Sequence, residues 1–128
     1  VRFADLPIGL LGYTDLSSHA IVLARHLTQV ERRCTLTHEL EHVHRGPVPA
    51  DPCLAAREET VVDGIAARRL VSLKELIDAL LLSHHEHDVA DELWVDIPTL
   101  RTRIAGLAQQ EREAIEARLQ QSDYWGIA

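Results

Sequence analysis

A chain of 128 residues is long enough for one modest domain, and with 46% hydrophobic but only 4% aromatic residues its core must rest on Leu, Val, Ile and Ala. A formal net charge of −7 argues against broad electrostatic binding to nucleic acid or to an anionic membrane. The two cysteines, Cys34 and Cys53, are too few for a disulfide framework and suit free thiols in a reducing cytoplasm. No apolar run approaches membrane-spanning length and no charged-then-apolar leader opens the chain. Methionine is absent, even at position one, so a trimmed or processed form is expected, with something N-terminal missing.

In chain order, residues 1–12 carry Pro7, Gly9 and Gly12 and suit a loop or a short strand. Tyr13, Thr14, Asp15, Ser17 and Ser18 read as turn material, and the β-branched run at residues 19–23 reads as a strand. Two short strands make a small antiparallel sheet, whose exposed edge could hold an extended peptide by backbone pairing. The alternative is that this segment only covers the core.

Residues 29–45 then read as a helix. Thr28 and Glu31 form a T-x-x-E capping box at its start, and Gly46 and Pro47 stop it. Val30, Cys34, Leu36, Leu40 and Val43 supply the apolar spacing. Within it, His38-Glu39-Leu40-Glu41-His42 reads H-E-x-x-H. A separation of four residues is close to one turn, so both imidazoles project from one face and can grip a single ion such as Zn²⁺. Glu39 lies beside that face, where its carboxylate can take a proton from activated water.

After a rigid connector, Asp51-Pro52 reads as N-cap and first helical residue of a helix over residues 53–71. Val61, Val62, Ile65, Ala66 and Leu70 mark its apolar face, and both Glu58 and Glu59 fall on that face. A carboxylate there calls for a partner, because burying an unpaired charge is costly. An ion held by His38 and His42 would serve, with Glu58 or Glu59 as third ligand, and periodicity does not choose between them.

These residues resemble the ImmA/IrrE-type zinc metallopeptidases. Arg32-Arg33-Cys34-Thr35-Leu36-Thr37 followed by His38-Glu39-Leu40-Glu41-His42 is similar to that family's metal-binding helix. A second block, from Glu59 through Ile65-Ala66 to Leu70-Val71-Ser72, is similar to its E-x-x-A-x-x-F-A-x-x-L-L-x-P run. The resemblance extends over nearly the whole chain, but its specificity rests on these two blocks. It implies a single zincin-like domain over residues 1–128, mainly α within the α+β class, with a small antiparallel sheet beside the motif helix. It also implies Zn²⁺ held by His38, His42 and Glu59, with Glu39 as general base. Glu41 stands where the family commonly has Gly, and Cys34 where it has an aromatic, which makes Cys34 a small buried hydrophobe rather than an additional ligand.

Ser72-Leu73-Lys74-Glu75 is another capping box, opening a helix with Leu73, Leu76, Ile77, Leu80 and Leu81 on its core stripe. His84-His85-Glu86-His87-Asp88 invites a second metal site but is better explained as a polar connector. Residues 89–104 resemble a helix-turn-helix. Arg101 and Arg103 could face bases, yet Asp88, Asp91, Glu92 and Asp96 would repel phosphate, so packing rather than nucleic-acid binding is expected. Residues 109–121 read as a terminal surface helix, with Tyr124 and Trp125 folding back onto the core.

The function expected is a zinc-dependent metallo-endopeptidase in the cytoplasm. By resemblance its substrate is a specific regulatory protein, such as the helix-turn-helix repressor of a phage or mobile element. His19, Tyr13 and Tyr124 are candidate donors to the oxyanion. The competing class is a non-catalytic, metal-stabilised module that regulates a repressor by docking.

Overall fold

The computed structural model describes the backbone of residues 1–126 and the side chains of residues 1–122. Three strands come first: β1 (Arg2–Ala4), β2 (Gly12–Asp15) and β3 (Ala20–Ala24). Six helices follow: α1 (Gln29–Arg45), α2 (Pro52–Leu70), α3 (Leu73–Leu82), α4 (Glu86–Leu93), α5 (Ile97–Ala105) and α6 (Gln109–Gly126). The fold is therefore mainly α with a small sheet, and the chain divides into two compact units, Val1–Leu70 and Val71–Ala128. No helix among the described residues is long and apolar enough to cross a membrane.

In the first unit the strand order is β1-β3-β2. β2 pairs antiparallel with β3, but β1 pairs parallel with it, so the sheet is mixed rather than wholly antiparallel. The cause is the β1–β2 connection. A turn closed by Leu10 N–H donating to the Pro7 carbonyl, with Gly9 at φ 89°, reverses the chain, and β3 then inserts between the two strands. Tyr13, Thr14 and Asp15, expected as a turn, form the edge strand β2 instead, because pairing with β3 supplies what their weak intrinsic preference does not. Central β3 is apolar throughout, and Ile21, Leu23, Ala24 and Leu27 form a buried cluster against Leu6 and Leu36.

Helix α1 begins at the capping box. Glu31 N–H donates to Thr28 Oγ1 at 3.1 Å, and Thr28 N–H donates to the Glu31 carboxylate at 3.0 Å. It ends at Gly46, with φ 88° and its N–H on the His42 carbonyl. The apolar spacing read from the sequence holds for Cys34, which is buried, and for Leu36, which packs on the β3 cluster, but Leu40 and Val43 are 44% and 47% exposed. Beyond Leu36 the helix buries Glu39, Glu41 and His42. Helix α2 starts where Asp51 Oδ1 accepts from the N–H groups of Cys53 and Leu54. It buries Val62, Ala66, Ala67 and Leu70, while Val61, expected on that face, is exposed. Arg69 on α2 reaches the buried Glu41 carboxylate of α1 at 2.9 Å.

In the second unit, the Ser72–Glu75 capping box opens α3. Trp94, at φ 56°, turns the chain between α4 and α5, and Asp96 caps α5 by accepting from Thr99 N–H. The two arginines of this helix pair are both committed. Arg101 makes two bonds to Glu86, and buried Arg103 donates to the Val71 carbonyl and to Glu111. Tyr124 and Trp125, expected against the core, lie outside the described side chains.

Gly12 sets how closely β2 approaches α1. A Cβ there would stand 2.9 Å from Thr35 Cγ2, 2.9 Å from the Val22 carbonyl oxygen and 3.0 Å from Leu23 Cδ2. Two of these contacts are to a buried strand that cannot yield freely. Gly12→Ala should therefore lower unfolding stability by about 1–3 kcal/mol in urea denaturation, the usual range for overpacking. An unchanged midpoint would contradict this packing.

Candidate metal centre

The motif helix delivers its two imidazoles as one-turn spacing dictates. His38 Nε2 and His42 Nε2 stand 3.2 Å apart, with the rings edge to face. Glu59 on α2 meets both: its Oε2 lies 3.1 Å from His38 Nε2, and its Oε1 lies 3.0 Å from His42 Nε2. Ligands about 2.0 Å from a tetrahedral zinc are separated by about 3.3 Å. The observed separations are close to those edges, so the three side chains fit one small cation with little movement. Among the described residues, this is the group of His, Cys, Asp and Glu side chains that could hold a metal ion.

The neighbouring Glu58 is turned elsewhere. Its carboxylate takes two hydrogen bonds from Arg45 at the end of α1, and that guanidinium holds it below the usual carboxylate range. The choice that periodicity left open thus falls to Glu59 by geometry. Glu41, whose charge lies beside the site, is engaged by Arg69. Cys34 is buried in the α1 face, and the His84–Asp88 run contributes no such metal-holding group among the described residues.

Two residues not singled out in the sequence complete the arrangement. Asp63 Oδ1 lies 2.9 Å from His38 Nδ1. A proton on Nδ1 leaves the Nε2 lone pair facing Glu59, the usual way a carboxylate orients a ligand histidine. The spacing could have revealed it, since Asp63 is one turn beyond Glu59 on the same helix face. Asp63, foremost through this hydrogen bond, raises the His38 pKa above 6.5, against the opposing effect of burial. Among the described residues His42 has no such orienting partner: its Nδ1 is buried without a hydrogen bond.

The second is Thr14. Its hydroxyl donates to Glu39 Oε2 at 2.6 Å and also lies 3.2 Å from the Glu39 carbonyl oxygen. Glu39 is only 6% exposed, so this bond from the edge strand satisfies and aims a nearly buried carboxylate. No local signal marks Thr14, because its role depends on the register of β2.

Glu39, His42 and Glu59 open onto one cleft of about 670 Å³, whose wall includes Tyr13 and Asp15 from β2 and Val48 from the connector. Of the candidate oxyanion donors, Tyr13 lines this cleft, His19 sits in the β2–β3 turn at φ 54°, and Tyr124 lies outside the described side chains. No family model matches the chain, and no curated protein or solved structure matches it.

A ligand imidazole must be neutral, so protons compete with metal. Because the His38 pKa is raised, that competition begins at a higher pH than for an ordinary histidine, and zinc affinity should fall as pH drops through the raised value. Asp63→Asn should move this onset to lower pH while weakening zinc at high pH by about 10- to 100-fold. Competition titrations with a chelator across pH check both effects. Equal affinity and equal pH dependence in the two proteins would remove Asp63 from the centre.

Proposed function

We propose that this protein is a zinc-dependent metallo-endopeptidase with a zincin-like catalytic unit, akin to the ImmA/IrrE peptidases its sequence resembles. Its proposed substrate is a specific regulatory protein such as a helix-turn-helix repressor. The observation that carries the reading is the common opening of Glu39, His42 and Glu59 onto one cleft. Structural zinc centres close with four protein ligands, whereas three gather here among the described residues, and a hydrolytic centre needs its fourth position open. A carboxylate held beside the ligands by Thr14 serves proton transfer and has no use in a purely structural site. The free thiols Cys34 and Cys53 fit the proposed cytoplasmic setting.

When bound, Zn²⁺ supplies Lewis acidity that makes water acidic near neutral pH and polarises a carbonyl. His38, His42 and Glu59 hold the ion, and Asp63 keeps His38 in the ligating tautomer. Glu39 takes the proton of the attacking water and returns it to the leaving amine nitrogen. Thr14 grips Oε2 of that carboxylate, which directs Oε1 to the proton.

Strand β2 fits the role of substrate guide. The Leu11 carbonyl accepts from Ala24 N–H, so by antiparallel alternation Tyr13 and Asp15 turn their backbone groups toward β3. Those of Gly12 and Thr14 then face the outer edge, where an extended peptide can pair beside the histidines.

The test is incubation of the zinc-loaded protein with repressors encoded beside its gene. Glu39→Gln should keep zinc and fold yet slow cleavage by about 10²- to 10⁴-fold, the usual worth of a general base. Cleavage by Glu39→Gln at the parent rate would discard the general-base role in favour of a docking module.

A further inference from the structure

The aromatic and acidic groups along β2 suggest what kind of peptide segment its outer edge selects. Tyr13 and Asp15 are two residues apart on the strand, so their side chains share one face, while Thr14 is turned to Glu39. Both residues border the cleft along the outer edge of β2, but their side chains lie on the sheet face away from Glu39, where Tyr13 is 42% exposed. Asp15 is held in place: Ser17 N–H and Ser17 Oγ both donate to its Oδ1, at 3.0 and 2.6 Å. These bonds, with further ones from Ser18, keep its carboxyl below the usual range and therefore ionised at neutral pH. Among the described residues no Lys or Arg forms a salt bridge with Asp15, although acids elsewhere in this unit, such as Glu41 and Glu58, have arginine partners. The outer edge of β2 thus offers one aromatic side chain and one fixed negative charge, in a chain of net charge −7 that already draws cationic segments.

The pairing geometry orders these features along a bound peptide. In an antiparallel partner, the residues opposite Tyr13 and Asp15 form non-hydrogen-bonded pairs, whose side chains approach most closely. The partner meets Asp15 before Tyr13, with one residue between. We infer that the outer edge of β2 selects an extended segment reading basic-x-bulky apolar from N- to C-terminus, with Lys or Arg beside Asp15 and the apolar side chain beside Tyr13, while the residue between them faces the Glu39 side. This rests on the peptide-guiding role of that edge in the preceding reading and adds its side-chain specificity.

The probes are ten-residue synthetic peptides, identical except for a central Lys-Ala-Phe, Glu-Ala-Phe, Lys-Ala-Ala or Phe-Ala-Lys. Binding is measured to the zinc-loaded Glu39→Gln protein, and cleavage separately with the parent. Lys-Ala-Phe should bind about five- to tenfold tighter than Glu-Ala-Phe, the ratio expected when an attractive cross-strand pair is exchanged for a repulsive one. The other two peptides should also bind more weakly than Lys-Ala-Phe. Asp15→Asn, which keeps the carbonyl acceptor that Ser17 uses, should erase the preference for Lys over Glu, and Asp15→Lys should invert it. Equal binding of the four peptides, no binding of any, or an undiminished preference in Asp15→Asn would overturn the inference. Selective binding without cleavage would support this specificity and count against the peptidase reading. Cleavage of all four at one rate, with equal binding, would do the reverse.

Discussion

Helix α1 packs Cys34 and Leu36 inward in its first half but turns its polar side inward in its second. Glu39, Glu41 and His42 are buried while Leu40 and Val43 face solvent, the opposite of what a helix held only by apolar burial would do. Each buried group must be compensated, since an unpaired charge in such a place costs several kcal/mol, of order 3–5 when one partner of a buried pair is lost. Compensation comes from both sides of the helix. Thr14 of β2 meets Glu39, Arg69 of α2 meets Glu41, and Glu59 of α2 meets His42. The placement of β2 and α2 against α1 is therefore tied to polar complementarity as well as to the apolar contacts of Val62, Ala66 and Leu70.

The same arrangement underlies the proposed chemistry. Two imidazole nitrogens and a carboxylate converge within bonding reach of one cation, and a second carboxylate stands beside them, held by a hydroxyl. A cation at that point offsets the negative charge that Glu39, Glu59 and Asp63 gather around His38 and His42. Arg45 contributes indirectly, because its grip on Glu58 ties the end of α1 to α2 one residue before Glu59.

Local signals carried much of this into the sequence. Thr28 with Glu31, Asp51 with Pro52, and Ser72 with Glu75 act within a few residues, so the starts of α1, α2 and α3 could be read directly. The histidine pair was legible for the same reason. What could not be read depends on contacts distant in the chain. The composition of Tyr13-Thr14-Asp15 says turn, and only β3 makes it a strand. The parallel pairing of β1 follows from the insertion of β3 between β1 and β2. Glu58 and Glu59 are adjacent on one helix, and the presence of Arg45 opposite the first and the histidines opposite the second separates them. The apolar spacing of α1 held for Cys34 and Leu36 but misled at Leu40 and Val43, because the buried face there is defined by polar partners on β2 and α2, which no helical periodicity records.

The central claim is that these three side chains form one metal centre with an open position. It is tested most directly by anomalous diffraction at the zinc edge on crystals of the zinc-loaded protein. The account predicts one fully occupied peak within about 2.0–2.2 Å of His38 Nε2, His42 Nε2 and a Glu59 oxygen, with a non-protein fourth ligand facing the cleft. A peak ligated instead by the His84–Asp88 run, a site closed by four protein ligands, or no peak between α1 and α2 would contradict it.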